Sequence, residues 1–127
     1  MIQQKIGRKL LNAGWTRAVF VHKTDKRLVV KVAHRHLSGE NNRMEWEIYH
    51  NAPKHIRKWL VPPVSIHEKG AYMVCLRGKP VTEIPREHPF KEVFHDMLLP
   101  ENWVTIKGKP MLADYANTKM YNLYGRK

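Results

Sequence analysis

The sequence predicts an α+β fold: an antiparallel sheet with one early helix, in a single domain covering residues 1–127. Three observations carry this. β-branched runs come in pairs joined by short polar turns. One stretch after the first pair switches to helical periodicity. The strands are grouped around that helix, which is the order of an α+β antiparallel sheet.

Taken in order, LLNAGWTRAVFV joins two strand-like pieces through a turn at Gly14. Residues 16–22 alternate and are rich in Val and Phe, and residues 27–33 (RLVVKVA) form a β-branched run holding one lysine. The four residues between them suit a hairpin loop. Ser38 stands where a helix cap belongs, ahead of GENNRMEWEIYHNA. There Met44 and Ile48 repeat at helical spacing, as do Glu45 and Tyr49. Pro53 opens a second short helical stretch, KHIRKWL, which Pro62 and Pro63 stop. Residues 64–67 and 71–76 flank a turn at 68–70, and Gly78 and Pro80 mark a break. Residues 87–98 are expected to be helical. Residues 103–106 and 110–113 flank Lys107, Gly108 and Lys109 as a further hairpin. Residues 117–127 are polar and basic and are expected to form a less ordered tail.

A chain of 127 residues is long enough for one hydrophobic core. Its net charge is +12, from 23 Lys and Arg against 11 Asp and Glu, which favours anionic partners: nucleic acid, nucleotides or an acidic protein surface. No apolar run approaches the length of a membrane span, so no membrane partner is expected. A single cysteine, Cys75, allows no internal disulfide and suits a reducing cytoplasm. His34 and His36 are the one close histidine pair. No Cys or carboxylate cluster completes a zinc site around them.

Five positions invite a chemical reading. Strand alternation puts Val29, Lys31 and Ala33 on one face. Lys31 is then either a solvent-facing lysine or one aimed at phosphate and held by a carboxylate. The helix offers Glu45 and Glu47 as that carboxylate, with Glu45 preferred because Ile48 and Tyr49 follow it as a packed pair. Gly14 would let backbone N–H groups approach an anion, or simply make a turn. Asn102 and Asp114 flank the last hairpin. They are either ordinary turn residues or two hard oxygen ligands for Mg²⁺.

The order of these features resembles a protein kinase: glycine turn, strand lysine, helix glutamate, hairpin, then Pro100-Glu101-Asn102, a hairpin and Asp114-Tyr115-Ala116. The chain is similar to short kinase-like proteins of phages and bacteria that carry an EWE helix and an ENW…DY hairpin. The resemblance covers roughly residues 6–116. It implies a protein-kinase-like small lobe with one αC-type helix, plus a reduced catalytic-loop hairpin, with the large helical lobe missing. It implies ATP and Mg²⁺ as cofactors. Asn12, Gly14 and Arg17 match the three glycines of the phosphate loop, and only the middle glycine survives. Lys31 matches the phosphate-binding lysine and Glu45 its helix partner. Cys75 falls at the gatekeeper, and Leu76, Arg77 and Gly78 at the adenine-facing hinge. Asn102 and Asp114 match the metal ligands.

The chain also departs from that pattern. Counting back from Asn102 puts Met97 at the catalytic base, with Asp96 one residue early. Too few residues separate hinge and loop, or follow Ala116, for a substrate-docking lobe. The expectation is a pseudokinase-like, nucleotide-binding protein that modulates a partner, such as a phage protein acting on a host target. The alternatives are a basic nucleic-acid-binding module, an active small phosphotransferase using Asp96, or a kinase-like fold whose pocket is filled by side chains.

Overall fold

The structure is a computed structural model and describes residues 6–13, 17–34, 39–91 and 99–124. It is α+β, with two antiparallel sheets. Strands β1 (Ile6–Ala13), β2 (Arg17–His22) and β3 (Leu28–Ala33) come first, then helix α1 (Glu40–Asn51) and the single turn α2 (Lys54–Arg57). Strands β4 (Pro63–Ile66) and β5 (Tyr72–Leu76) complete a five-stranded sheet in the order β1-β2-β3-β5-β4. A second, three-stranded sheet joins β6 (Lys79–Pro80), β7 (Trp103–Ile106) and β8 (Lys109–Leu112) in chain order.

β3 lies at the centre of the larger sheet, between β2 and β5. Its LVVKVA sequence is nearly all β-branched or apolar, as a strand covered on both faces requires. Val29 and Val30 point to opposite faces and both are buried. The turn before it is closed by His22, whose Nδ1 accepts from the backbone N–H of Thr24 and of Asp25, each at 3.2 Å.

Gly39 occupies the N-cap position of α1 and makes no side-chain cap bond. Ser38, expected as the cap, lies outside the described residues. Glycine is required at this end for a steric reason. A Cβ on Gly39 would lie 2.2 Å from the Lys69 carbonyl oxygen, and one on Gly70 would lie 2.2 Å from that of Gly39. Gly70 also has a φ of +79°. The start of α1 and the β4–β5 turn therefore touch backbone to backbone, with no room for a side chain on either glycine.

The two sheets are tied through the segment before β4. Leu112 N–H donates to the Trp59 carbonyl at 2.7 Å, and Val61 N–H to the Leu112 carbonyl at 3.1 Å. Around this tie lies the main core: Ile48 and Ala52 of the α1 end, Ile56, Leu60, Phe90, Trp103, Leu112, Tyr115 and Met120. A second cluster of Val29, Val61, Met73 and Cys75 gathers Val19, Leu76, Val104, Ile106, Met111 and Ala113 from both sheets.

Several expectations are corrected. Residues 87–91 are not helical, and Pro89, Phe90 and Lys91 form a turn. Pro89 has no N–H to give, and Phe90 N–H is captured by the His88 ring at 3.1 Å, which sends the Phe90 side chain into the core. Residues 92–98 lie outside the described set. The break at Gly78 and Pro80 contains β6, whose Lys79 pairs with Thr105. Within the tail, residues 118–124 form regular structure. Asn117 Oδ1 accepts from Lys119 N–H at 2.8 Å and starts a 3-10 turn, Thr118–Met120, followed by α3 (Tyr121–Tyr124). Met120 is fully buried, and Tyr124 OH donates to the Ile48 carbonyl of α1 at 3.3 Å. The apolar residues spaced through this basic segment dock it.

Candidate functional site

α1 buries Asn42, Glu45 and Ile48, three residues apart, so a single stripe faces the sheet. The first half of that stripe is polar. It meets polar residues on the inner face of the sheet. Register aligns Val19, Lys31 and Met73 across β2, β3 and β5, and alternation then places Arg17 on the same face as Val19.

Lys31 is only 5% exposed, so the solvent-facing alternative does not hold. Its ammonium donates to Glu45 Oε1 and to the Ala113 carbonyl, and lies 5.9 Å from the centre of the Tyr115 ring. Glu45 is therefore the helix carboxylate that meets the strand lysine, as the spacing suggested. Its second oxygen accepts from Arg17 Nη2 at 3.0 Å and from Tyr115 N–H at 3.1 Å.

Arg17 is the residue the sequence reading undervalued. Besides Glu45, its guanidinium donates to Asp114 Oδ1 at 2.7 Å and to Asn42 Oδ1 at 3.1 Å. Asn42 in turn donates to the carbonyls of Lys31 at 3.1 Å and Gly70 at 2.8 Å. Strand alternation carried the signal for Arg17, since Arg17, Val19 and Val21 share a face. Helical spacing carried it for Asn42, three residues before Glu45. Every fully buried side-chain nitrogen or oxygen among the described residues has a partner.

The electrostatics follow from this closure. Burial works against the charge on Arg17, but Glu45 and Asp114 outweigh it and hold the guanidinium above its ordinary value. Burial likewise opposes ionisation of Glu45, and Arg17 and Lys31 together overcome it, so the carboxyl titrates below its ordinary value. Tyr115 is raised by burial and then by Glu45. Its hydroxyl donates to the Val61 carbonyl at 2.8 Å. The cluster contains two cations and two carboxylates, so it is neutral within itself.

The remaining expected site residues are placed as follows. Asp114 lies two residues beyond the end of β8, and its side chain is 57% exposed. Asn102 ends a 3-10 turn, Pro100–Asn102, and its carbonyl accepts from Ala113 N–H at 2.7 Å. The β7–β8 hairpin thus brings Asn102 and Asp114 to neighbouring points. Cys75 is buried on β5 beside the cluster. Burial pushes its thiol up to about 11, with Lys31 only partly offsetting it, so it is not a thiolate at neutral pH. Leu76 is half-buried in the apolar cluster that spans the sheets. Gly14 and Asp96 lie outside the described residues.

Mg²⁺ held by Asp114 and Asn102 does not fit this arrangement. Asp114 already has a guanidinium on Oδ1, and a dication beside it would repel that buried charge. Among the described residues no three His, Cys, Asp or Glu side chains converge on one point. Lys31, the residue expected to meet phosphate, has Glu45 and a carbonyl as its partners. No protein-family model matches the sequence, and neither does any curated protein.

Proposed function

We propose that this chain is a kinase-like protein without phosphotransfer activity, which works by binding a partner. Three features support the kinase-like part. A five-stranded antiparallel sheet has a three-turn helix, α1, and then the single turn α2 between its third and fourth strands in chain order. A buried lysine of the third strand pairs with a glutamate of that helix. A later hairpin carries an asparagine before it and an aspartate after it. These are the parts the resemblance calls for, in the order it calls for them.

The observation that carries the inactive part is Arg17, bridging Glu45 at 3.0 Å and Asp114 at 2.7 Å. In the resemblance this residue replaces the last glycine of the phosphate loop. Its guanidinium stands where a metal-bound phosphate would need to meet the aspartate. The cluster already balances its own charge, so it offers little attraction to a triphosphate. Phosphoryl transfer depends on positioning and on cations spread over the transferred group. Here the Asp114 oxygen that would face a metal-bound phosphate accepts from Arg17 instead.

Isothermal calorimetry with ATP and Mg²⁺ tests this reading. The wild-type chain is expected to give no saturable heat. Micromolar binding that disappears in Lys31→Ala and in Asp114→Ala would overturn the closed site on which this reading rests.

A further inference from the structure

A second concentration of charge lies at the far end of β5, away from the Gly39–Gly70 contact. Three segments meet there: the β2–β3 turn at 23–27, the link at 77–80 and the β7–β8 turn at 105–109. Arg77 N–H donates to the Arg27 carbonyl at 2.7 Å, which joins the first two. Lys79 pairs with Thr105, which joins the second and third. Between the latter two is a cleft of about 300 Å³ lined by Arg77, Lys79, Thr105, Ile106, Lys107 and Gly108.

The three segments carry seven Lys and Arg and one acid, Asp25, which Arg27 holds at 3.0 Å. Among the described residues, no carboxylate pairs with Arg77, Lys79, Lys107 or Lys109. Lys107 is also held in an unusual backbone state. It and Gly108 are the two central residues of a tight hairpin turn, with φ of 53° and 77°. Such turns favour Asn or Asp in the first place, and a lysine there is not explained by the turn itself. It does place an exposed ammonium at the lip of the cleft.

We infer that this edge binds the phosphate backbone of a nucleic-acid duplex. The inference names the partner of the binding role proposed above and rests on that role. Unopposed cations spread over three turns suit a line of phosphates, whose contacts position without reading sequence. No aromatic side chain lies on these segments, so bases have nothing to stack on, which disfavours a single strand. An acidic protein would need apolar anchors, and the cleft offers only Ile106.

The test is fluorescence anisotropy with a labelled short duplex at 50 and 200 mM salt. Four contacts, from Arg77, Lys79, Lys107 and Lys109, give an expected log–log salt slope of about −3 to −4, or a loss of about a hundredfold over that range. Lys79→Ala with Lys107→Ala is expected to flatten the slope by about two and weaken binding at least about tenfold. Lys54→Ala with Lys69→Ala, the same charge change on other elements, is expected to leave binding nearly unchanged. No binding at 50 mM salt overturns the inference, as does equal loss in both double variants. Displacement of the duplex by poly-glutamate at equal charge would assign the edge to an acidic protein instead, and tighter binding of the single strand would overturn the duplex assignment. Failure here leaves the closed charge cluster intact, while MgATP binding by calorimetry would refute that cluster's role and leave this edge untouched.

Discussion

Two oxygens of Glu45 take three donors, from Lys31, Arg17 and the Tyr115 backbone. A carboxylate so placed stabilises the fold only while it is ionised. Its folded-state pKa lies below the ordinary 4.5, so the unfolded chain binds the proton more readily. The stabilisation is complete above pH 4.5 and is lost as the pH falls through the folded value. Glu45→Gln removes one charge from a buried set and leaves Lys31 and Arg17 short of a counter-charge. It is expected to cost about 3–5 kcal/mol at neutral pH in urea unfolding. The same variant is expected to lose this part of the acid sensitivity. An unfolding profile with the wild-type pH dependence would show that Glu45 is not the titrating group.

Elements meet in this protein through backbone as well as side chains. The start of α1 sits against the β4–β5 turn with glycine on both sides, and that contact sets the distance from Asn42 and Glu45 to the sheet. Gly70→Ala adds a methyl where the Gly39 oxygen already lies, at a positive φ. The backbone strain alone costs about 1–3 kcal/mol, and the clash adds to it. A melting temperature equal to wild type would mean that the helix does not dock there. Much of this arrangement was legible in the sequence. The alternation of RLVVKVA placed Lys31 on a defined face, and the spacing of Glu45 and Ile48 singled out the correct acid. Turn residues marked the hairpins. Arg17 was read as a lost glycine; alternation gave the face it shares with Val19, but its partners are 25 to 97 positions away and nothing local names them. Residues 87–91 were misread because Pro89 and the His88 ring override a helical composition. The tail was misread because its charge masked Met120, whose burial depends on a core that is formed elsewhere.

At the scale of the whole molecule, two sets of charge stand apart. One set is neutral within itself: Arg17, Lys31 and Glu45 are buried between α1, β2 and β3, and Asp114 closes it at the exposed edge beyond β8. The other lies exposed along three turns and accounts for much of the excess in a chain of net charge +12. Among the described residues no helix is long and apolar enough to cross a membrane. The proposal that this chain binds rather than catalyses depends on the first set staying closed, and Arg17 is what closes it. A double-mutant cycle between Arg17→Met and Glu45→Gln, read by urea unfolding at neutral pH, measures that closure directly. A closed cluster predicts a coupling energy of about 1–3 kcal/mol. Additivity within about 0.5 kcal/mol, as for independent sites, would contradict it.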